Sequence, residues 1–238
     1  MEQRVLFAGC LVLTRFQAYE LAAKAVLERL GIELVDLDDF TCCGSSIVPS
    51  FSDNAINLTA YNLALAEARG FDIVTLCGSC TRTLKMAKDK LSRDSELLKT
   101  VNERLREFGL EYKGTVKVSH IIEVLSEKTE TIAAQVSDRL DYRVALSHPC
   151  NVIRPSAVVE FDDPWRPRKM REIVILTGAT VVEYDQEYEC CGATLLMTDE
   201  AAALEAARAK LSSAIAAGAD FLIVSCGNCY LSLAGMQD

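Results

Sequence analysis

Ten cysteines form one five-thiol pattern written twice along the chain. The first copy is Cys10, Cys42, Cys43, Cys77 and Cys80; the second is Cys150, Cys190, Cys191, Cys226 and Cys229, and no cysteine is left over. As spacings the copies read C-x31-CC-x33-CxxC and C-x39-CC-x34-CxxC, with Gly44 and Gly192 following the paired cysteines in the same place. A repeat of order and interval points to two similar sites that bind something through sulfur. Zinc is one reading, since a CxxC is a common half-site and zinc takes four thiolates. Each copy offers a fifth, and adjacent cysteines diverge from a tetrahedron. Disulfides fit poorly, because a bridge between neighbours closes a strained and easily reduced ring. Iron–sulfur clusters accept several thiolates on different irons. Five sulfurs exceed the four of an ordinary cubane, which leaves either a spare reactive cysteine or an unusual cluster with a bridging thiolate.

The elements that carry these sulfurs follow from apolar runs and glycines. Four times a helical stretch ends at a glycine and gives way to a β-rich run: Leu21–Leu30 with Gly31 before Ile32–Leu37, Leu58–Arg69 with Gly70 before Asp72–Leu76, Met170–Thr177 with Gly178 before Thr180–Glu183, and Ala201–Ala217 with Gly218 before Phe221–Ser225. Glycine just past a helix supplies the left-handed turn that returns the chain to a sheet. The strand runs are rich in Val, Ile, Leu and Phe with little alternation, as in strands covered on both faces. The expected class is therefore α/β, two pseudo-symmetric Rossmann-like domains with mainly parallel sheets. Cys10, Cys77, Cys150 and Cys226 end the strands Val5–Ala8, Ile73–Leu76, Val144–Leu146 and Ile223–Ser225. There, at the carboxyl edge of a parallel sheet, ligands collect and helix N-termini favour thiolates. A charged, mostly helical stretch, Thr81–Leu140 with a short strand at Val116–Val118, joins the copies, giving a first domain with connector over 1–140 and a second over 141–238.

Half of the 238 residues are apolar, enough for a buried core. No apolar run approaches the ~18–20 residues of a membrane span, and no leader opens the chain, so a cytoplasmic protein is expected. Thiols stay reduced in that compartment, which favours metal or redox chemistry. The formal charge of −9 disfavours nucleic acid as a partner.

The pattern is the CCG-domain signature, and its duplication resembles the B subunit of heterodisulfide reductase and its relatives. Phe7-Ala8-Gly9-Cys10, Cys42-Cys43-Gly44, Arg154-Pro155, Phe161-Asp162-Asp163-Pro164, Glu189-Cys190-Cys191-Gly192 and Ala217-Gly218-Ala219-Asp220 carry the likeness over nearly the whole chain. The resemblance implies two noncubane [4Fe-4S] clusters, each held by its five cysteines and facing one another with a disulfide such as CoM-S-S-CoB between them. It also implies two partner subunits of a heterodisulfide reductase-type complex, one ferredoxin-like, the other carrying flavin and iron–sulfur. Two clusters suit a two-electron cleavage, since each usually passes one electron. The competing readings are a non-catalytic electron-transfer subunit with zinc in one domain, and a CCG subunit of a lactate- or glycolate-type oxidase. Two departures from the family, Ser147-His148-Pro149 ahead of Cys150 and Gly227-Asn228 inside the last CxxC, fall at the second site and bear on the substrate.

Four further groups stand near the sulfurs. Arg15 and Arg154 follow the first cysteine of each repeat and suit an anionic substrate group. A solvated helix-start arginine is the plainer reading. His148, two residues before Cys150, suits protonation of a departing thiolate, against the plainer reading of a hydrogen-bonded, partly buried imidazole. Arg82, Lys85 and Lys88 follow the first CxxC on successive helical turns, an exposed face unless they steer an anionic ligand or acidic partner to that side. His120 is read as structural.

Overall fold

A computed structural model describes residues 1–45 and 53–235. Two compact units divide it: Met1–Ile121 with Ala157–Val159, and Ile122–Ser156 with Glu160–Asp238. The elements run β1 Glu2–Phe7, α1 Cys10–Arg15, α2 Gln17–Arg29, β2 Ile32–Val35, α3 Asp53–Ala68, β3 Ile73–Thr75, α4 Gly78–Arg93, α5 Ser95–Leu105 and β4 Val118–His120. They continue with α6 Ile121–Ser126, α7 Thr129–Gln135, β5 Arg143–Ser147, α8 Cys150–Ile153, α9 Ser156–Val159, α10 Lys169–Leu176, β6 Thr180–Val181, α11 Glu200–Ala216, β7 Phe221–Val224 and α12 Gly227–Gly235.

The first unit carries a four-stranded sheet in the order β2-β1-β3-β4, the second a three-stranded sheet in the order β6-β5-β7. Every pairing is parallel, with Val5 opposite Val35 and Ile73, and Val144 opposite Val181 and Phe221. The α/β reading with parallel sheets therefore holds in both units. All four helix-ending glycines adopt positive φ, between 73° and 90°, and each precedes a strand as expected.

Burial follows position in the sheet. Central strands lose both faces to helices, so β3 is wholly buried and β1 and β5 are buried over their last four residues. Of the edge strands, β2, β6 and β7 remain half open, so the expectation of two-sided cover fails there, whereas β4, also an edge, is buried throughout. Most strands are also shorter than the apolar runs suggest, and the expected strand at Val116–Val118 starts at Val118. Its predecessors are held instead by a carboxylate: Glu67 accepts hydrogen bonds from the backbone N–H groups of Lys113, Thr115 and Val116. The first core packs Leu27, Ile32, Leu63, Ile73, Leu76, Leu84 and Leu91, all essentially sealed from solvent. In the second unit, Ala145, Val182, Tyr184 and Ala214 form a smaller cluster. No helix among the described residues is long and apolar enough to cross a membrane.

Candidate functional site: two five-sulfur centres

Each site is assembled from three turns at the carboxyl edge of its sheet. Cys10 and Cys150 open the short helices α1 and α8, three residues beyond the ends of β1 and β5. Cys77 caps α4 after β3, and Cys226 stands in the same place between β7 and α12. Because i and i+3 share a helix face, Cys80 and Cys229 come round beside these caps. The two helices start alike, Thr81 N–H donating to the Cys77 carbonyl and Tyr230 N–H to the Cys226 carbonyl, each at 3.0 Å. The paired cysteines arrive on the loop that precedes α3 or α11.

Glycine completes the pair. Gly44 and Gly192 have φ of 81° and 80°, a left-handed turn that L side chains rarely adopt. The turn aims the glycine N–H back at the first sulfur of the pair, 3.4 Å from Cys42 Sγ in one site and 3.4 Å from Cys190 Sγ in the other. Among the described residues the second copy is the tighter of the two, since a Cβ on Gly192 would lie 2.6 Å from the Ala203 carbonyl oxygen of α11, whereas one on Gly44 would meet Leu58 at 3.4 Å. Close approach also fixes Gly9, where a Cβ would sit 2.8 Å from Cys80 Sγ.

The five thiols of each copy touch in the same order. In the first the chain of contacts is Cys10–Cys42–Cys43–Cys80–Cys77; in the second it is Cys150–Cys190–Cys191–Cys229–Cys226, with Cys191 and Cys229 sulfurs 3.3 Å apart. No disulfide joins any of the ten cysteines. Three are buried in each copy, Cys43, Cys77 and Cys80 against Cys191, Cys226 and Cys229; the other two are the open side, Cys10 with Cys42 and Cys150 with Cys190. No group of three or more His, Cys, Asp or Glu side chains among the described residues is arranged to hold a single metal ion.

Sulfurs crowded this closely share negative charge unevenly. In the first site the thiolate rests on Cys43, lowered to about 6 by a hydrogen bond from Cys80, against burial and with help from Ser45 and Cys42. Cys80 is pushed up in return by Cys43, Cys77 and burial. In the second site the anion settles one residue earlier, on Cys190, lowered to about 2 by Cys150 and Cys191 with the Gly192 N–H and the charge of Lys210 assisting. Cys191 moves up to about 11 because it donates to Cys190.

The flanking groups divide into two kinds. Arg15 and Arg154 are exposed, Arg154 beside a cis Arg154–Pro155 peptide with its guanidinium 6.0 Å from the Trp165 ring. His148 is sealed in the core of its unit, its Nε2 3.1 Å from Glu187 Oε1 and its ring stacked on Tyr188 at 5.6 Å. Arg171 grips both oxygens of the same carboxylate at 3.0 and 3.1 Å. Burial alone would raise the Glu187 carboxyl; the hydrogen bond to His148 and the charge and hydrogen bonds of Arg171 outweigh it and hold the group below the usual carboxylate range. His148 is thus a hydrogen-bonded imidazole, buried completely rather than in part. The row on α4 is not an exposed face. Lys88 Nζ donates to the carbonyls of Gly114 and Val116 and Lys85 Nζ to that of Val159, so these stems are half-buried and tie the chain to itself. His120 is fully buried, in keeping with a structural role.

Sequence reading missed Glu187, Arg171 and Lys210. Lys210 projects from α11 into the second unit with no exposed surface, its ammonium bonded to the carbonyls of Gln186 and Glu187 just ahead of Cys190. A charged residue on an alanine-rich helix carries no local signal of burial; only setting one repeat against the other would have singled it out.

Comparison with known proteins matches both halves. Residues 5–85 and 144–234 each match CCG, the cysteine-rich domain. The chain is 35% identical over 237 residues to the B subunit of the ferredoxin/F(420)H(2)-dependent CoB-CoM heterodisulfide reductase of Methanosarcina acetivorans, covering 97% of this chain and 79% of that protein. It is 31% identical over 242 residues to a protein of Archaeoglobus profundus described as like the B subunit of heterodisulfide reductase, covering 98% and 81%. Among solved structures, a hypothetical protein from Helicobacter pylori superposes with a TM-score of 0.72 at 22% identity, over 97% of this chain and 42% of that one, a likeness of fold.

Proposed function

Because the chain belongs to the family of the heterodisulfide reductase B subunit, with a CCG domain in each half, we propose that it is the iron–sulfur subunit on which a disulfide is reduced or formed within an electron-transfer complex. Its ten cysteines hold two [4Fe-4S] clusters of noncubane type, one per repeat. The substrate is a heterodisulfide of the CoM-S-S-CoB class, and the partner subunits are one ferredoxin-like protein and one flavin-carrying protein. The observation that carries this reading is the five-sulfur chain of contacts, repeated in the same order. A mononuclear zinc site uses four sulfurs, whereas five converge here twice. When bound, an iron–sulfur cluster supplies one electron at a time, so two match the two electrons and two protons that turn one disulfide into two thiols.

The chain's own residues prepare each centre. Three buried sulfurs fix it to the sheet edge, while Cys10 with Cys42, or Cys150 with Cys190, leaves a side open to an approaching sulfur. The Gly44 and Gly192 N–H groups place a hydrogen bond on the first sulfur of each pair, on the open side of the centre, and so favour negative charge there. Arg15 and Arg154 remain free in solvent to receive an anionic end of the substrate. His148 is held between Glu187 and Tyr188, so its part is to position β5 and Cys150.

The test is reduction of CoM-S-S-CoB by a reduced viologen, with the anaerobically purified chain and the subunits that co-purify with it. Two thiols released per disulfide, falling at least tenfold in Cys43→Ser and in Cys191→Ser, is the expected result. Iron-replete protein that releases no thiol overturns the assignment.

A further inference from the structure

The repeats keep one register from the paired cysteines to the glycine after the following helix, 148 residues separating Cys42 from Cys190 and Gly70 from Gly218. In that register Asn62 on α3 stands where Lys210 stands on α11. Both are fully buried. Asn62 accepts hydrogen bonds from the N–H of Thr41, at 2.8 Å, and its hydroxyl, at 3.3 Å, tying down the residue before Cys42. Lys210 does the same work on the loop before Cys190 through the carbonyls of Gln186 and Glu187, and lies against Tyr184, its Nζ 3.5 Å from the hydroxyl and 5.5 Å from the ring centre.

Holding a loop does not require a charge, as Asn62 demonstrates. Burying an ammonium costs several kcal/mol unless negative charge answers it. The acceptors it touches are neutral, and the nearby Glu187 carboxylate is already engaged by His148 and Arg171. The charges that oppose the burial are the sulfurs of Cys191, Cys229 and Cys190, followed by Glu189. The first site has cations of its own in Arg82, Lys85 and Lys88, yet all three are half-buried where Lys210 is fully buried, and partial contact with solvent screens them more.

We infer that Lys210 sets the two sites apart electrostatically: a cluster held by the second repeat takes up its electron at a higher potential than one held by the first. The inference rests on the cluster reading above. Reduction adds one negative charge to a buried group, and a fixed cation in low dielectric favours that state. Asn62 offers no such bias.

An anaerobic redox titration of the iron-loaded protein, followed by electron paramagnetic resonance, tests this. Wild type should show two one-electron steps. Lys210→Met should make the upper step at least tenfold harder to reduce, 59 mV for a one-electron couple, with the lower step unmoved and Lys210→Arg restoring the separation. Asn62→Lys should raise the lower step alone, and this variant decides the matter if Lys210→Met does not fold. Iron-replete variants whose steps stay in place, or move together, overturn the inference while leaving the cluster reading intact. Wild-type protein without iron overturns both.

Discussion

The two repeats share the parts that gather sulfur and differ in the charges set around them. In both, a strand end, a left-handed glycine and a helix start bring five thiols into the same sequence of contacts, down to the 3.4 Å N–H to sulfur distance. Around that frame the first repeat has Ala8 ahead of Cys10 and Asn62 beneath the paired cysteines, and its cations Arg82, Lys85 and Lys88 are only half-buried. The second places His148 and Lys210 at those positions and adds the Arg171–Glu187 pair. Their sheets differ too: β4 covers the flank of β3, whereas β7 is an edge with Phe221 55% exposed. The comparison teaches that the frame which gathers the sulfurs and the charges set around it vary separately, the first kept in both repeats and a fully buried lysine present only in the second.

The charged network should break most sharply. Glu187→Ala leaves the buried His148 and the partly buried Arg171 without their carboxylate and is expected to destabilise the protein by about 3 kcal/mol. Asp39→Ala, at the matching position of the first repeat, is exposed and should change stability by less than about 0.5 kcal/mol. Urea unfolding of both variants checks the contrast. The pH dependence has a definite sign: the Glu187 carboxyl is held low by folding, so its stabilisation is present above the ordinary carboxylate range and disappears as pH falls through the folded value. Glu187→Gln should therefore flatten the acid limb of the stability curve, and an unaltered limb would contradict the assignment.

A smaller effect separates the two glycines. Alanine at either must adopt a left-handed conformation, costing about 1–2 kcal/mol. At Gly192 it also meets the α11 backbone, so Gly192→Ala should cost about 3 kcal/mol in all. Gly44→Ala should stay near the lower figure, since a leucine methyl can yield. Equal losses in the two variants would mean that the tighter packing behind the second pair is without consequence.

Much of this was written in the sequence because its signals are short-range. Glycine after a helix, an apolar run and a CxxC each act within one turn of chain, and all four glycine-ended helices form, with Cys10, Cys77, Cys150 and Cys226 within three residues of the strand ends. Strand lengths were not legible, because pairing depends on a neighbour: Thr180–Glu183 yields two paired residues at an edge, and Val116 gives way to the loop that Glu67 gathers from 46 to 49 residues away. The row Arg82, Lys85 and Lys88 reads as a solvated face by helical periodicity, yet its lysines serve carbonyls distant in sequence. His148, Arg171, Glu187 and Lys210 belong to four separate segments, so their meeting follows from the fold.

The most direct measurement of the central claim is iron and acid-labile sulfide per chain in anaerobically prepared protein, beside the same count for Cys43→Ser and Cys191→Ser. Two clusters of four irons predict about eight irons and about eight sulfides in the wild type and roughly half of each in either variant. Four or fewer irons in the wild type, with zinc in their place, would contradict it.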